Sequence, residues 1–390
     1  MSLTSLYARL GWHRSLLGFV LLLWIASSAQ AAHLYQISIP VTDTTAATRA
    51  EAANQVLSRL LVRLTGEAAI AAAFPPEDFA AEPELYQEDP AFDLWQSLSE
   101  AQQWVAEFSY QSTAVRLTDE QGRPVPTQLL VLTFDEQGIR QLIRRMGYRV
   151  WDSTRPRSLM WILLDGRQGR YLVNPSTNAA LAEVVEQQAQ ERGIPVTFAD
   201  LTRHEQEPSL LSDLWGGFAQ QILRASQVYE ADHIVVARIS SDGQRWVLLL
   251  SQPGLSGVRE QRLTDTTLGG VLRQAVNATS ETLAQHYGGT SQQHVSGQLR
   301  VRVTGIETAQ DLAQVLQRLQ RLSVVESLRL HQAQAQMIEL DLNLNGNQQV
   351  LRANLALDSG LVEVNPLPWQ LSLEDQSELA PVDLILRWQR

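Results

Sequence analysis

The sequence predicts a chain of the α/β and α+β class, built as three modules in series. These are a ferredoxin-like β-α-β-β-α-β module, a central α/β module with a mostly parallel sheet, and a second β-α-β-β-α-β module. Three observations predict this. Apolar residues at period two alternate with apolar residues at helical spacing from about residue 33 to 365, as strands alternating with helices require. The run SLMWILLD, residues 158–165, is almost continuously apolar, as in a strand buried on both faces. The stretch GGTSQQHVSGQ, residues 288–298, is rich in Gly, Ser and Gln and reads as a joint, placing the linker at 289–297.

The first element is a leader. Leu16 to Ala26 is an apolar run of eleven residues, preceded by Arg9 and Arg14 and followed by Ala29-Gln30-Ala31. A spanning helix needs about twenty residues. The pattern predicts a signal peptide over 1–31 with cleavage after Ala31, an uncleaved anchor being the alternative. In the first module, 33–152, LYQISIPV alternates as a strand. Ala53, Val56, Leu57, Leu60, Leu61 and Leu64 form one helical stripe, with a cap expected at Asp43 or Thr44 and a stop at Gly66. Residues 67–93 hold eight acids, no base and four prolines, and are expected to be a solvated loop with short helical pieces. WVAEFSYQSTAVRL and TQLLVLTF are expected to pair around DEQGRPVP. A helix over about 136–146 and a short strand near Trp151 close the module.

In the central module, 153–288, four strands are expected in SLMWILLD, IPVTF, DHIVVARI and QRWVLLLS, the last two joined by an SSDG turn. Helices are expected from a cap at Ser176 or Thr177 to Gly193, within LLSDLWGGFAQQILRASQVYEA, and over about 266–286. The third module, 298–365, opens on the alternating QLRVRVTGI, continues through a helix carrying Leu312, Val315, Leu316 and Leu319, then a hairpin, the helix QQVLRANLAL and the strand LVEVNP. The tail, 366–390, is left as an added strand or a loose segment.

Composition narrows the chemistry. The 390 residues are 44% apolar, enough for real cores. The net charge is −11, and −13 once the two arginines of the leader are gone. An acidic surface argues against general binding to nucleic acid or anionic headgroups. There is no cysteine and no lysine, so thiol nucleophiles, Cys-zinc sites, P-loop lysines and Schiff bases are excluded. Histidines show no H-x-x-x-H or H-x-H pair, so no metal site and no cofactor is expected. His233, at the head of an apolar strand, is expected to be structural. GLSGV at 254–258 departs from G-x-S-x-G and reads as a loop.

LTFDEQGIRQLIRRMGYRVWDSTRPRSLMWILLD, RGIPVTFADL and SDLWGGFAQQILRASQVYEADHIVVARI resemble the domain-of-unknown-function family "twenty sixty-six", uncharacterised exported proteins of gammaproteobacteria; the likeness covers most of the mature chain, most sharply residues 131–251. The resemblance implies a compartment and a layout; it implies no activity and no catalytic residue.

In open α/β sheets ligands bind beyond the carboxyl ends of parallel strands. Those ends are expected near Asp165, Asp200 and Ser240, with Arg155, Asp213 and Trp215 close by in sequence. Arg155, Asp165, Asp200, Asp213 and Trp215 are therefore the candidate binding cleft. Each also has a plain structural role available: an ion pair for Arg155, a helix cap for Asp213, core packing for Trp215. The expected function is that of a soluble periplasmic protein which binds another envelope protein without catalysis. The alternative is an envelope hydrolase or glycan-binding protein using the carboxylates of Asp165 and Asp200.

Overall fold

The structure is a computed structural model that describes residues 34–389 other than 77, 80, 120, 152–154, 168, 207–208, 255–259, 289–295, 335, 359 and 365–381. The leader, most of the linker, the loop after Gly254 and the first part of the tail lie outside the described residues. Three sheets are distributed over two compact units, one holding the chain up to Leu64 with Ala71–Leu142, the other Thr65–Ile70 with everything from Ile143. The mixed α/β and α+β class is seen in all three sheets, with differences in strand number and direction.

In the first unit β1 (Gln36–Val41) and β2 (Val105–Thr118) flank β3 (Pro124–Phe134), and both ladders are antiparallel. Helix α1 (Ala46–Thr65) buries all six residues of the predicted stripe. Its cap is Thr45, whose Oγ1 accepts from Thr48 N at 3.2 Å, while Asp43 accepts from Thr45 N. The acidic stretch carries the expected short helical pieces, over Ala68–Ala73 and Pro83–Tyr86. Around α2 (Phe92–Ser99), Phe79, Tyr86, Phe92 and Trp95 form an aromatic cluster with centroid spacings of 5.7 Å, which gives the segment its own small core. Helix α3 (Glu136–Arg145) starts on Asp135, whose carboxylate accepts from Gly138 N. The expected short strand near Trp151 is not seen among the described residues, which omit 152–154. Trp151 is buried in the core of the central module instead of pairing beside β1.

The central sheet has the order β5-β4-β7-β8-β9, with β6 also on β4. Its strands are β4 (Ser158–Gly166), β5 (Gly169–Val173), β6 (Val196–Phe198), β7 (His233–Ser241), β8 (Trp246–Ser251) and β9 (Gln261–Asp265). Only β4–β6 and β4–β7 are parallel; β4–β5, β7–β8 and β8–β9 are antiparallel. The sheet is thus mixed rather than mostly parallel. The physical reason is local: Gly166 pairs with Gly169 across a tight hairpin, and Asp242 accepts the N–H groups of Gln244 and Arg245 to make a second one. β4 is buried on both faces as predicted. Met160, Ile162 and Leu164 join a core with Val185 of α4 (Ala179–Arg192) and Val271, Leu272 and Val276 of α7 (Leu268–Leu283). Leu159, Trp161 and Leu163 join another with α5 (Leu210–Gly216) and α6 (Ala219–Ser226). Helix α4 is capped by Asn178, whose side chain accepts from Leu181 N, and stops at Gly193, φ 67°.

The last sheet has the order β11-β12-β10-β14-β13, from β10 (Ser296–Thr304), β11 (Val325–Gln334), β12 (Met337–Asn345), β13 (Leu361–Glu363) and β14 (Leu384–Trp388). Helices α8 (Ala309–Arg321) and α9 (Gln348–Ala356) complete the predicted β-α-β-β-α-β order. The tail adds a strand, and adds it inside the sheet: β14 lies parallel to β10 and separates it from β13.

Candidate functional site

The carboxyl ends of β4 and β7 lie side by side, with Leu164 in register with Ile239, so Asp165 and Ser240 follow together. Asp165 faces Arg170 across the β4–β5 hairpin, with Oδ2 3.7 Å from Nε. The guanidinium of Arg170 lies over the ring of Trp215, 4.3 Å from its centroid. The backbone carbonyl of Trp215 accepts from Arg238 Nη1 at 3.0 Å, and Arg238 forms an ion pair with Glu260. Gly217, φ 72°, ends α5 beside this guanidinium, where a Cβ would sit 3.1 Å from Arg238 Nη1. One continuous chain of contacts therefore runs Asp165–Arg170–Trp215–Arg238–Glu260.

Two of the five predicted residues, Asp165 and Trp215, are brought together in it, through an arginine the sequence reading missed. Asp213 sits two residues before Trp215 and accepts from Ser209 Oγ at 3.2 Å at the start of α5. It is not the cap, which is Ser209, but its carboxylate in the first turn complements the helix dipole. Asp200 is placed differently. β6 leaves the sheet with Phe198 in register with Met160, five residues or roughly 17 Å short of Asp165 along β4. Its carboxylate accepts from Thr202 N at 2.9 Å, a bond that holds its pKa below the usual carboxylate value. Its backbone is clamped by the Tyr229 hydroxyl, which accepts from Asp200 N and donates to Asp200 O. Arg155 precedes β4 and so lies at the amino end of the strand, away from Asp165. It is buried, stacked 3.5 Å from the ring centroid of Trp151. Asp165 and Asp200 are thus engaged separately, and the five residues do not form one cleft.

The chemistry of the connected chain is that of alternating charges. Asp165 and Glu260 each face a guanidinium, Arg170 and Arg238 respectively. Among the described residues no group of three or more His, Asp or Glu side chains is arranged to hold a metal ion. His233 is structural as expected. Gln252 donates to Thr282 Oγ1 at 3.0 Å, which leaves Gln252 Oε1 to accept from His233 Nε2 at 2.8 Å. Burial lowers the His233 pKa to about 4, so the ring is neutral.

A second polar feature lies on the last sheet, on the face opposite α8 and α9. Arg300 bonds Asp341 at 2.9 Å, and His331 Nδ1 is 3.2 Å from the same carboxylate. Arg300 draws the Asp341 pKa below its usual value. Arg302 donates through Nε and Nη2 to Glu339 Oε1, and this pair is buried. An open cavity of about 480 Å³ is lined by Arg300, Arg329, Asp341, Asn343 and Asp383. Its arginines and aspartates balance, so it offers no net charge to a ligand. These pairs were invisible to a sequence reading because they join strands far apart in the chain.

Comparison with known proteins adds a family but no activity. The family described as "Domain of unknown function (DUF8605)" matches residues 28–152, the first module. A domain of unknown function is thus found at that module, under a different family from the one that the mature chain is expected to resemble. No curated protein matches the chain. Similar solved structures include an allophanate hydrolase and a urea amidolyase of Kluyveromyces lactis, each at 8% identity, with TM-scores of 0.18 and 0.19. Each alignment covers 73% of this chain, but 66% of the hydrolase and 24% of the amidolyase. At such scores the likeness carries no argument about fold or chemistry.

Proposed function

We propose that this chain is an exported envelope protein that acts by binding another protein rather than by catalysis, and that the partner adds a strand to β2. Export rests on the leader pattern of residues 1–31. The observation that carries the binding reading is β2 itself. It is a fourteen-residue outer strand whose side chains are mostly exposed, with Val115 and Leu117 among the exposed large apolar residues. A long outer strand with apolar side chains is a template for strand addition unless charges blunt it. Two bulges, at Val105/Glu107 and Ser112/Arg116, divide the edge, and Val115 and Leu117 lie at and just beyond the second of them. The hydrolase alternative has less support, since Asp165 and Asp200 are engaged separately.

The test is a pull-down from envelope extract with the mature chain and with the double variant Val115→Lys/Leu117→Lys. Both residues are exposed, so the variant keeps its fold, within about 0.5 kcal/mol per site. The mature chain retains a defined partner and the variant loses it. Equal retention by both, or none by the mature chain, contradicts the reading.

A further inference from the structure

We propose that β14 occupies a strand-binding slot between β10 and β13, and that this slot exchanges strands between two copies of the chain. The inference is independent of the β2 reading. It starts from topology. The order β10-α8-β11-β12-α9-β13 is a complete β-α-β-β-α-β unit before β14 is reached. β13 is antiparallel to β14, and β14 is parallel to β10, so β13 already has the direction needed to pair antiparallel with β10. β14 is therefore a guest in a sheet that has its own closing strand. Its ladder with β10 is short, from Val301↔Leu384 to Thr304↔Arg387, and parallel, whereas the other ladders of this sheet are antiparallel.

The slot is nevertheless built for this strand. Leu384, Leu386 and Trp388 are buried among Val301, Val303, Leu319 and Leu361. Trp388 Nε1 donates to Asp311 Oδ1 at 3.1 Å, while Asp311 Oδ2 accepts from Thr308 N and so caps α8. Arg318 lies 5.1 Å from the Trp388 ring centroid. Asp383 ties the entry, its carboxylate accepting from Arg300 N at 2.7 Å and its own N–H bonding Arg300 O. Such matched contacts select this sequence, so the occupant that fits is the same strand from a second copy. Exchange of an identical element reproduces every one of these contacts in the dimer and adds only the entropy of association. The twenty residues between Glu363 and Leu384 give a sequence length of up to roughly 65 Å when extended, enough to reach a neighbouring chain.

The absence of cysteine makes the test clean. Thr304 and Arg387 are Cα partners, on β10 and β14, and neither is buried. First, the double variant Thr304→Cys/Arg387→Cys is oxidised; an intrachain disulfide is expected, and failure to form it overturns the proposal by showing that β14 does not lie on β10. Next, the single variants Thr304→Cys and Arg387→Cys are mixed at high concentration, warmed, cooled and oxidised. Exchange predicts a Thr304→Cys/Arg387→Cys heterodimer in several-fold excess over a control mixture of Thr304→Cys with Glu183→Cys, a variant at an exposed site of α4. It also predicts that prior closure of the disulfide in the double variant abolishes dimers on size exclusion. An intrachain disulfide in the double variant with no excess heterodimer in the mixture overturns exchange. Neither result depends on β2, so the partner-binding proposal stands or falls separately.

Discussion

Lowering the pH from 7.5 to 4 is expected to destabilise the second unit through one buried imidazole. His233 heads β7 with its Nε2 on Gln252, and burial holds its pKa at about 4 against 6.5 for the free side chain. Desolvation is the largest cause; the hydrogen bond to Gln252 raises the value, and the neighbouring His286, itself lowered by burial, adds to the depression. The fold accepts the neutral ring. The unfolded chain takes up a proton near pH 6.5 and the folded chain near 4, so between these values the unfolded state binds more protons. Unfolding free energy therefore falls as pH drops through that window and is flat above it. A displacement of about 2.5 pH units at 1.36 kcal/mol each gives a loss of about 3 kcal/mol. The assay is urea unfolding followed by tryptophan fluorescence at pH 7.5, 5.5 and 4, for the native chain and for His233→Gln, which retains a donor for Gln252. Carboxylates held below their usual pKa, such as Asp200 and Asp265, lose their contribution only as pH falls through the carboxylate range, and they do so in both proteins. The difference between the two proteins isolates His233. Equal pH dependence in both across 6.5 to 4 would refute the reasoning.

Other perturbations have calculable outcomes. Arg302→Ala leaves Glu339 buried without this guanidinium partner and is expected to cost about 3–5 kcal/mol in chemical denaturation. Replacing both with Arg302→Met/Glu339→Leu is expected to cost much less, so a double variant as unstable as the single one argues against the ion-pair account. Gly66→Ala places a Cβ 2.1 Å from Ala284 Cβ at φ 72°, and a fall in unfolding free energy of more than about 2 kcal/mol is expected. Arg170→Ala breaks a half-exposed ion pair with Asp165 and uncovers Trp215. Less than about 1 kcal/mol of stability is expected to be lost, while acrylamide quenching of tryptophan fluorescence increases.

What the sequence revealed follows from what is local. The stripe from Ala53 to Leu64 and the two-faced burial of β4 are written in periodicity, and both are found. Capping was displaced by a residue or so, to Thr45 and Asn178, because several Asp, Asn and Thr side chains compete at each helix start. β5 and β9 escaped notice: GRYLV and QRLTD are only five residues each and QRLTD is largely polar, and what identifies them as strands is their antiparallel pairing with β4 and β8. The alternation Leu384, Leu386, Trp388 is that of a strand, yet nothing nearby says that it enters a sheet beside Val301. The candidate site shows the same limit. Asp165 and Trp215 meet through Arg170, a cross-strand partner fixed by hairpin register. Arg155 was misplaced for a simpler reason, since a residue before a strand lies at its amino end and cannot join residues at the carboxyl end.

The central claim, that β2 receives a partner strand in the envelope, is tested most directly by photocrosslinking in living cells. A photoreactive residue is placed at Val115, and in a separate chain at the exposed Glu183 of α4 as reference. The account predicts a discrete adduct of one mass from position 115 and none of that mass from 183. Identical adducts from both positions, or no adduct from 115, would contradict it.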